Sequence, residues 1–117
     1  MTTDTTDRLN TITQKLVERI QPEKIVVFGS YATGQAKPES DVDLLIILES
    51  NLRRDQRQEA ISQVLRPRDF PVDILAYTPS EVSACTNDPH SFLRYILTTG
   101  KVLYDRQSDR VARPLAG

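Results

Sequence analysis

Two aspartates at the head of an apolar run, Asp41 and Asp43 in SDVDLLIIL, are the residues of this chain best placed to do chemistry. Side chains two apart on an extended strand project to the same face, so these carboxylates stand side by side while Val42 faces the opposite layer. Adjacent carboxylates repel, and a divalent cation is the usual means of keeping both ionised in one place. A third acid, Asp73, interrupts the apolar stretch from Pro71 to Leu75. An uncompensated buried charge there would be strongly destabilising. If the two strands are neighbours, three carboxylates converge. Such oxygen ligands suit Mg2+, which takes one or two carboxylates and completes its shell with water and substrate phosphates. Two such ions held ~4 Å apart can activate an attacking hydroxyl and stabilise a leaving pyrophosphate.

Gly29 and Ser30 fit the same picture. Glycine allows the backbone to approach a phosphate closely, and the serine offers a hydroxyl and a backbone N–H at a helix start. A Gly-Ser pair alone is an ordinary turn, and an Asp-x-Asp alone is an ordinary strand end. Here the turn follows one buried strand, ten residues separate Ser30 from Asp41, and the acids open the next buried strand.

With that spacing, GSYATGQAKPESDVDLLIIL resembles the signature of the polymerase-beta-like nucleotidyltransferase superfamily, and the short length resembles its minimal nucleotidyltransferase branch. The likeness runs from the first helix to KVLYDR. It implies that Gly29 and Ser30 hold the triphosphate of ATP, that Asp41 and Asp43 bind two Mg2+ ions, and that Asp73 binds the catalytic ion and helps activate the acceptor hydroxyl. The implied reaction is in-line attack on the α-phosphate with release of pyrophosphate. Thr33 departs from the pattern, since family members often carry an arginine there. The branch resembled includes antitoxins encoded with a HEPN-domain ribonuclease toxin, which they inactivate by transferring AMP to a tyrosine hydroxyl. The resemblance therefore implies a HEPN-type toxin as protein partner. Two alternatives are a nucleotidyltransferase acting on a small molecule or a nucleic-acid end, and a catalytically silent antitoxin that neutralises its partner by contact.

The elements that must position these residues are legible in the apolar pattern. Asp7 is a candidate N-cap for a first helix with Leu9, Ile12, Leu16, Val17 and Ile20 on one face, stopped by Pro22. Lys24 to Phe28 reads as a buried strand, Tyr31 to Gly34 as a short helix, and Gln35 to Ser40 as a surface loop. Val42 to Leu48 is a second strand. Asn51 to Leu65 is a helix with Leu52, Ala60, Ile61, Val64 and Leu65 inward, and Phe70 to Tyr77 is a third strand. Thr78, Pro79 and Glu81 form a helix-start signal, and Asp88 with Pro89 repeats it before a last helix bearing Phe92, Leu93, Ile96 and Leu97. Gly100 ends that helix, and Lys101 to Tyr104 adds a short strand. The expected architecture is α+β, a single nucleotidyltransferase-like domain over residues 1–105. Its mixed sheet has about four strands, with helices packed mainly on one face, and residues 106–117 form a flexible tail. The pattern leaves open whether the second and third strands run parallel.

Composition narrows the classes further. At 117 residues, with 38% hydrophobic and 26% charged residues, the chain makes one globular domain. No apolar run approaches the ~20 residues of a membrane span, and the acidic, polar N-terminus lacks the pattern of a secretory signal. One cysteine, Cys85, forms no internal disulfide, and the expected location is the cytoplasm. A net charge of −1 argues against a long nucleic acid as substrate. His90 is expected to be exposed or capping, and Cys85 to be a small packing residue. The tyrosines are expected at core edges, with Tyr31 at the mouth of the site, and Arg53, Arg54, Arg57, Arg66 and Arg68 on a solvated helix face.

Overall fold

A computed structural model describes residues 3–37, 40–66, 71–88 and 90–106. The chain runs α1 (Thr3–Ile20), β1 (Lys24–Phe28), α2 (Ser30–Thr33), β2 (Val42–Ile47), α3 (Arg54–Val64), β3 (Val72–Tyr77), α4 (Pro79–Thr86), α5 (Phe92–Thr99) and β4 (Lys101–Asp105). Helix α1 begins four residues before Asp7, so that aspartate lies within the helix and does not cap it. It stops where Gln21 takes a left-handed φ of 49° ahead of buried Pro22, whose ring cannot continue a helix.

The four strands form one sheet in the order β3-β2-β1-β4. Strand β1 is antiparallel to both β2 and β4, whereas β2 and β3, joined through α3, are parallel. That settles the direction the sequence leaves open, and the parallel register sets Asp43 directly beside Asp73. Strands β1, β2 and β3 divide their side chains between two cores. Ile25, Val27, Val42, Leu44, Ile46, Val72 and Ala76 pack with Leu9, Ile12 and Leu16 of α1 and Ile61 of α3. Val26, Leu45 and Ile47 pack with Leu93 and Ile96 of α5, flanked by Val82 and Cys85 of α4. The two longer helices thus cover one face, and the two short ones cover part of the other.

The start of α4 follows the sequence signal. Thr78 Oγ1 accepts from the Glu81 N–H at 3.2 Å, and Glu81 Oε1 accepts from the Thr78 N–H at 2.9 Å. Helix α5 is capped instead by Ser91, whose hydroxyl accepts from the Arg94 N–H at 3.0 Å, three residues beyond Asp88. Gly100 ends it, donating its N–H to the Ile96 carbonyl at 2.7 Å.

Several side chains lie where the sequence pattern does not put them. Arg57, expected on a solvated face, is only 4% exposed. Its guanidinium donates to the carbonyls of Ala76 and Leu52, each at 2.8 Å, and to Glu81 Oε1 at 2.7 Å, so it ties α3 to the end of β3 and the start of α4. Leu52 and Ala60, expected inside, are exposed, because α3 begins only at Arg54 and turns Ile61 and Leu65 inward. Tyr31 is fully buried in the α1 core, its hydroxyl accepting from Arg8 Nη1 at 3.2 Å, and is not at the mouth of the site. Tyr95 and Phe92 are outward-facing on α5. His90 is exposed and Cys85 half-buried, as expected. Pro38 of the polar loop, Pro67, Arg68 and Phe70 before β3, Pro89, and the tail beyond Arg106 lie outside the described residues. Arg106 itself donates its N–H to the Glu23 carbonyl at 2.9 Å and its guanidinium to that of Gln21.

Candidate active site

The turn after β1 is built around Gly29, at φ 73° and ψ −147°, a conformation close to the region reserved for glycine. Its carbonyl accepts from the N–H groups of Ala32 and Thr33 at 3.0 and 3.2 Å, which starts α2. The Ser30 carbonyl accepts from the Gln35 N–H at 3.0 Å and from the Thr33 hydroxyl at 3.3 Å, and Gly34 closes the turn with φ 80°. The missing side chain of Gly29 also makes room. A Cβ there would stand 2.5 Å from Asp43 Oδ2. The turn and the second acid are therefore in contact.

Asp43 lies at the centre of a row that crosses the sheet. Phe28 pairs with Asp43 in the β1–β2 register, and Asp43 pairs with Asp73 in the β2–β3 register. Strand alternation puts all three on the face covered by α4 and α5, the face to which Leu45, Leu75 and Tyr77 also point. The heads of β2 and β3 are stitched just before the acids by the Val42 N–H, which donates to the Pro71 carbonyl at 3.0 Å. Burial raises the pKa of Asp43 above its ordinary range, and the negative charges of Asp73 and Asp41 and a hydrogen bond with Asp73 raise it further. Asp73, expected in a buried setting, is exposed because β3 is the edge strand, and Asp41 is exposed just before β2.

The donor chemistry fits a divalent cation. Asp43 and Asp73 are close enough to share a hydrogen bond, and Asp41 adds to the same field. A cation bound there would offset the repulsion that adds to the raised pKa of Asp43. Among the described residues no group of three acids, histidines or cysteines forms a ready-made metal cage. Gly29, Ser30, Asp43 and Asp73 are thus brought together, with Asp41 at the margin.

The sequence pattern misses the aromatic flank of this row. The ring of Phe92 meets that of Phe28 edge-on at 6.1 Å and 87°, and Tyr95 lies nearly parallel to Phe92 at 6.5 Å and 16°. The i, i+3 spacing of Phe92 and Tyr95 was the available signal, because it marks a stripe distinct from that of Leu93 and Ile96.

Comparison with known proteins agrees with this geometry. The profile of the polymerase beta nucleotidyltransferase domain matches residues 10–109. A Methanocaldococcus jannaschii protein that carries the name protein adenylyltransferase is 34% identical over 96 residues, which cover 82% of this chain and 90% of that one. A Sulfolobus solfataricus crystal structure described as a nucleotidyltransferase superposes with a TM-score of 0.61 at 18% identity, over 89% of this chain and 86% of that one. A crystal structure of an MntA–HpeT toxin–antitoxin mutant superposes with a TM-score of 0.54 at 25% identity, over 86% and 74% of the two chains. A toxin–antitoxin structure with AMP-PNP gives 0.53 at 24% identity, over 86% and 76%.

Proposed function

Because the chain belongs to the polymerase beta nucleotidyltransferase family, we propose that it is a Mg2+-dependent protein adenylyltransferase. It moves AMP from ATP to a tyrosine hydroxyl of a cognate HEPN-type ribonuclease toxin, and so serves in the cytoplasm as the antitoxin of the pair. The observation that carries this reading is the placement of the Asp43 carboxylate between the Gly29 turn and Asp73. The name of the M. jannaschii relative supports a protein acceptor, and the toxin–antitoxin neighbours support a toxin as that protein.

In this mechanism the Gly29–Ser30 turn holds the triphosphate, and Asp41, Asp43 and Asp73 hold Mg2+. The bound ions supply positive charge to the phosphates, which lowers the barrier to nucleophilic attack. The acceptor oxygen forms a bond to the α-phosphorus as the bond to the bridging oxygen of the β-phosphate breaks. Pyrophosphate leaves with that electron pair, and Asp73 takes the hydroxyl proton. The room left by Gly29 lets Asp43 stand where the phosphates arrive, so positioning and charge are supplied together.

The test is incubation of the chain with ATP, Mg2+ and the product of the neighbouring gene, read by intact mass. Addition of AMP to the partner by wild type, and its loss in Asp43→Asn, is the expected result. Equal neutralisation of the partner by wild type and variant, with no adduct, would sink the enzymatic reading in favour of inhibition by contact.

A further inference from the structure

Phe92 and Tyr95 are 60% and 63% exposed, although each has a large apolar ring. They do not serve the core of their own helix, which turns Leu93 and Ile96 inward. Phe92 is instead anchored by its edge-on contact with Phe28, the residue just before the Gly29 turn and the register partner of Asp43. Phe92 therefore stands beside the phosphate turn, on the sheet face that also carries the acids.

We infer that Phe92, extended by Tyr95, is the stacking platform for the nucleotide base, and that it favours purine over pyrimidine nucleoside triphosphates. The inference rests on the reading that Gly29 and Ser30 hold the triphosphate, and it adds what that reading lacks, a place for the base. The Phe28 contact sets Phe92 beside the residue that precedes the phosphate turn, within reach of the base of a nucleotide whose phosphates that turn holds. Asp73, which would face the acceptor, lies on the other side of Asp43, on the β3 edge. That adjacency favours the nucleotide over the acceptor protein as occupant. The two outer rings are stacked with 16° between their planes, and both stay largely exposed, which leaves aromatic surface for a base. Stacking on such faces requires no base-specific hydrogen bond and grows with ring area, which explains a preference for purines without discrimination between adenine and guanine.

The experiment is a calorimetric titration of AMP-PNP and, separately, of inorganic tripolyphosphate, each with Mg2+. It compares wild type, Phe92→Ala, Tyr95→Ala and Phe92→Trp. Phe92→Ala should weaken AMP-PNP binding about 10- to 100-fold and leave tripolyphosphate binding unchanged, whereas Phe92→Trp should retain wild-type affinity. Tyr95→Ala should weaken AMP-PNP in the same selective way by a smaller factor. Wild type should bind ATP and GTP more tightly than CTP. Thermal melts check folding, and the Trp variant separates loss of a ring from loss of the fold. Wild-type AMP-PNP affinity in Phe92→Ala would overturn the inference. If that variant also fails to bind the partner protein, the surface belongs to the acceptor. Equal weakening of both ligands would assign Phe92 a general structural role and overturn it too. Wild type that binds neither ligand would instead refute the nucleotide reading beneath it, and the platform with it.

Discussion

Replacing Gly29 by alanine should damage both activity and stability, and the two losses can be separated. At φ 73° and ψ −147° the backbone sits near a region essentially reserved for glycine, and occupying it with alanine costs roughly 1–3 kcal/mol. The added Cβ would stand 2.5 Å from Asp43 Oδ2 and 3.4 Å from its Cγ, while the Asp43 Cβ, at 3.7 Å, is in ordinary contact. The carboxylate must therefore swing away, at about 0.5–1.5 kcal/mol if it leaves its rotamer. The total loss in Gly29→Ala is about 1.5–4.5 kcal/mol. In an Asp43→Ala background the colliding atoms are gone, so the same change should cost only the backbone strain, leaving a coupling of about 1 kcal/mol. Urea denaturation of the four proteins of this cycle measures it. AMP transfer by Gly29→Ala should fall about 100-fold or more, the penalty for misplacing a catalytic group by about an ångström. Identical destabilisation in both backgrounds, or a Gly29→Ala protein that transfers AMP normally, would refute the packing of the turn against Asp43 as the basis of the site.

Four further changes probe the same structure. Arg57→Ala should lose about 3 kcal/mol in urea denaturation, since it strands the Ala76 and Leu52 carbonyls and the Glu81 carboxylate, whereas Arg66→Ala at an exposed position should stay within about 0.5 kcal/mol. Asp43→Asn should raise the melting temperature of the metal-free protein at neutral pH while abolishing transfer. The folded-state pKa of Asp43 lies above its ordinary 3.8, so the metal-free wild type should lose stability as pH rises from there through the raised value, and the variant should lack that loss. Glu81 has the opposite sign: its pKa lies below the ordinary 4.5, held down by Arg57, so its contribution is present above 4.5 and is lost as pH falls through the lowered value. Glu81→Gln should accordingly flatten the acid side of a melting-temperature profile. Thr33→Arg, which restores the cation common in the family, should tighten ATP binding about tenfold in a calorimetric titration.

The parts of the fold that were legible in the sequence are those set by local periodicity. The strands around Val26, Leu44 and Ile74, the capping box at Thr78 and Glu81, and the stop at Gly100 each follow from residues within a few positions of one another. Asp41, Asp43 and Asp73 could be singled out because carboxylates in apolar strands are out of place. Their contact could not, because it depends on β2 and β3 being parallel and in one register. Arg57 was misread for a related reason. On a helix rich in exposed arginines nothing local distinguishes the one that reaches Ala76, 19 positions away, and Glu81, 24 away. The sequence pattern puts Phe92 on one apolar face with Leu93, Ile96 and Leu97, but its ring is largely exposed and meets Phe28, a residue far away in the chain.

The parallel pairing of Asp43 with Asp73 has a bearing on how the sheet finds its register. A slip of one residue in β3 would turn Asp73 toward the α1 core, beside Val42, Leu44 and Ile46 of β2, and would leave a charge stranded in hydrocarbon. The correct register leaves it in solvent at the sheet edge. The acid proposed to serve catalysis thus also penalises mispairing of the only parallel strands in the described sheet. A variant with Asp73 replaced by an apolar residue should lose that safeguard along with its chemistry.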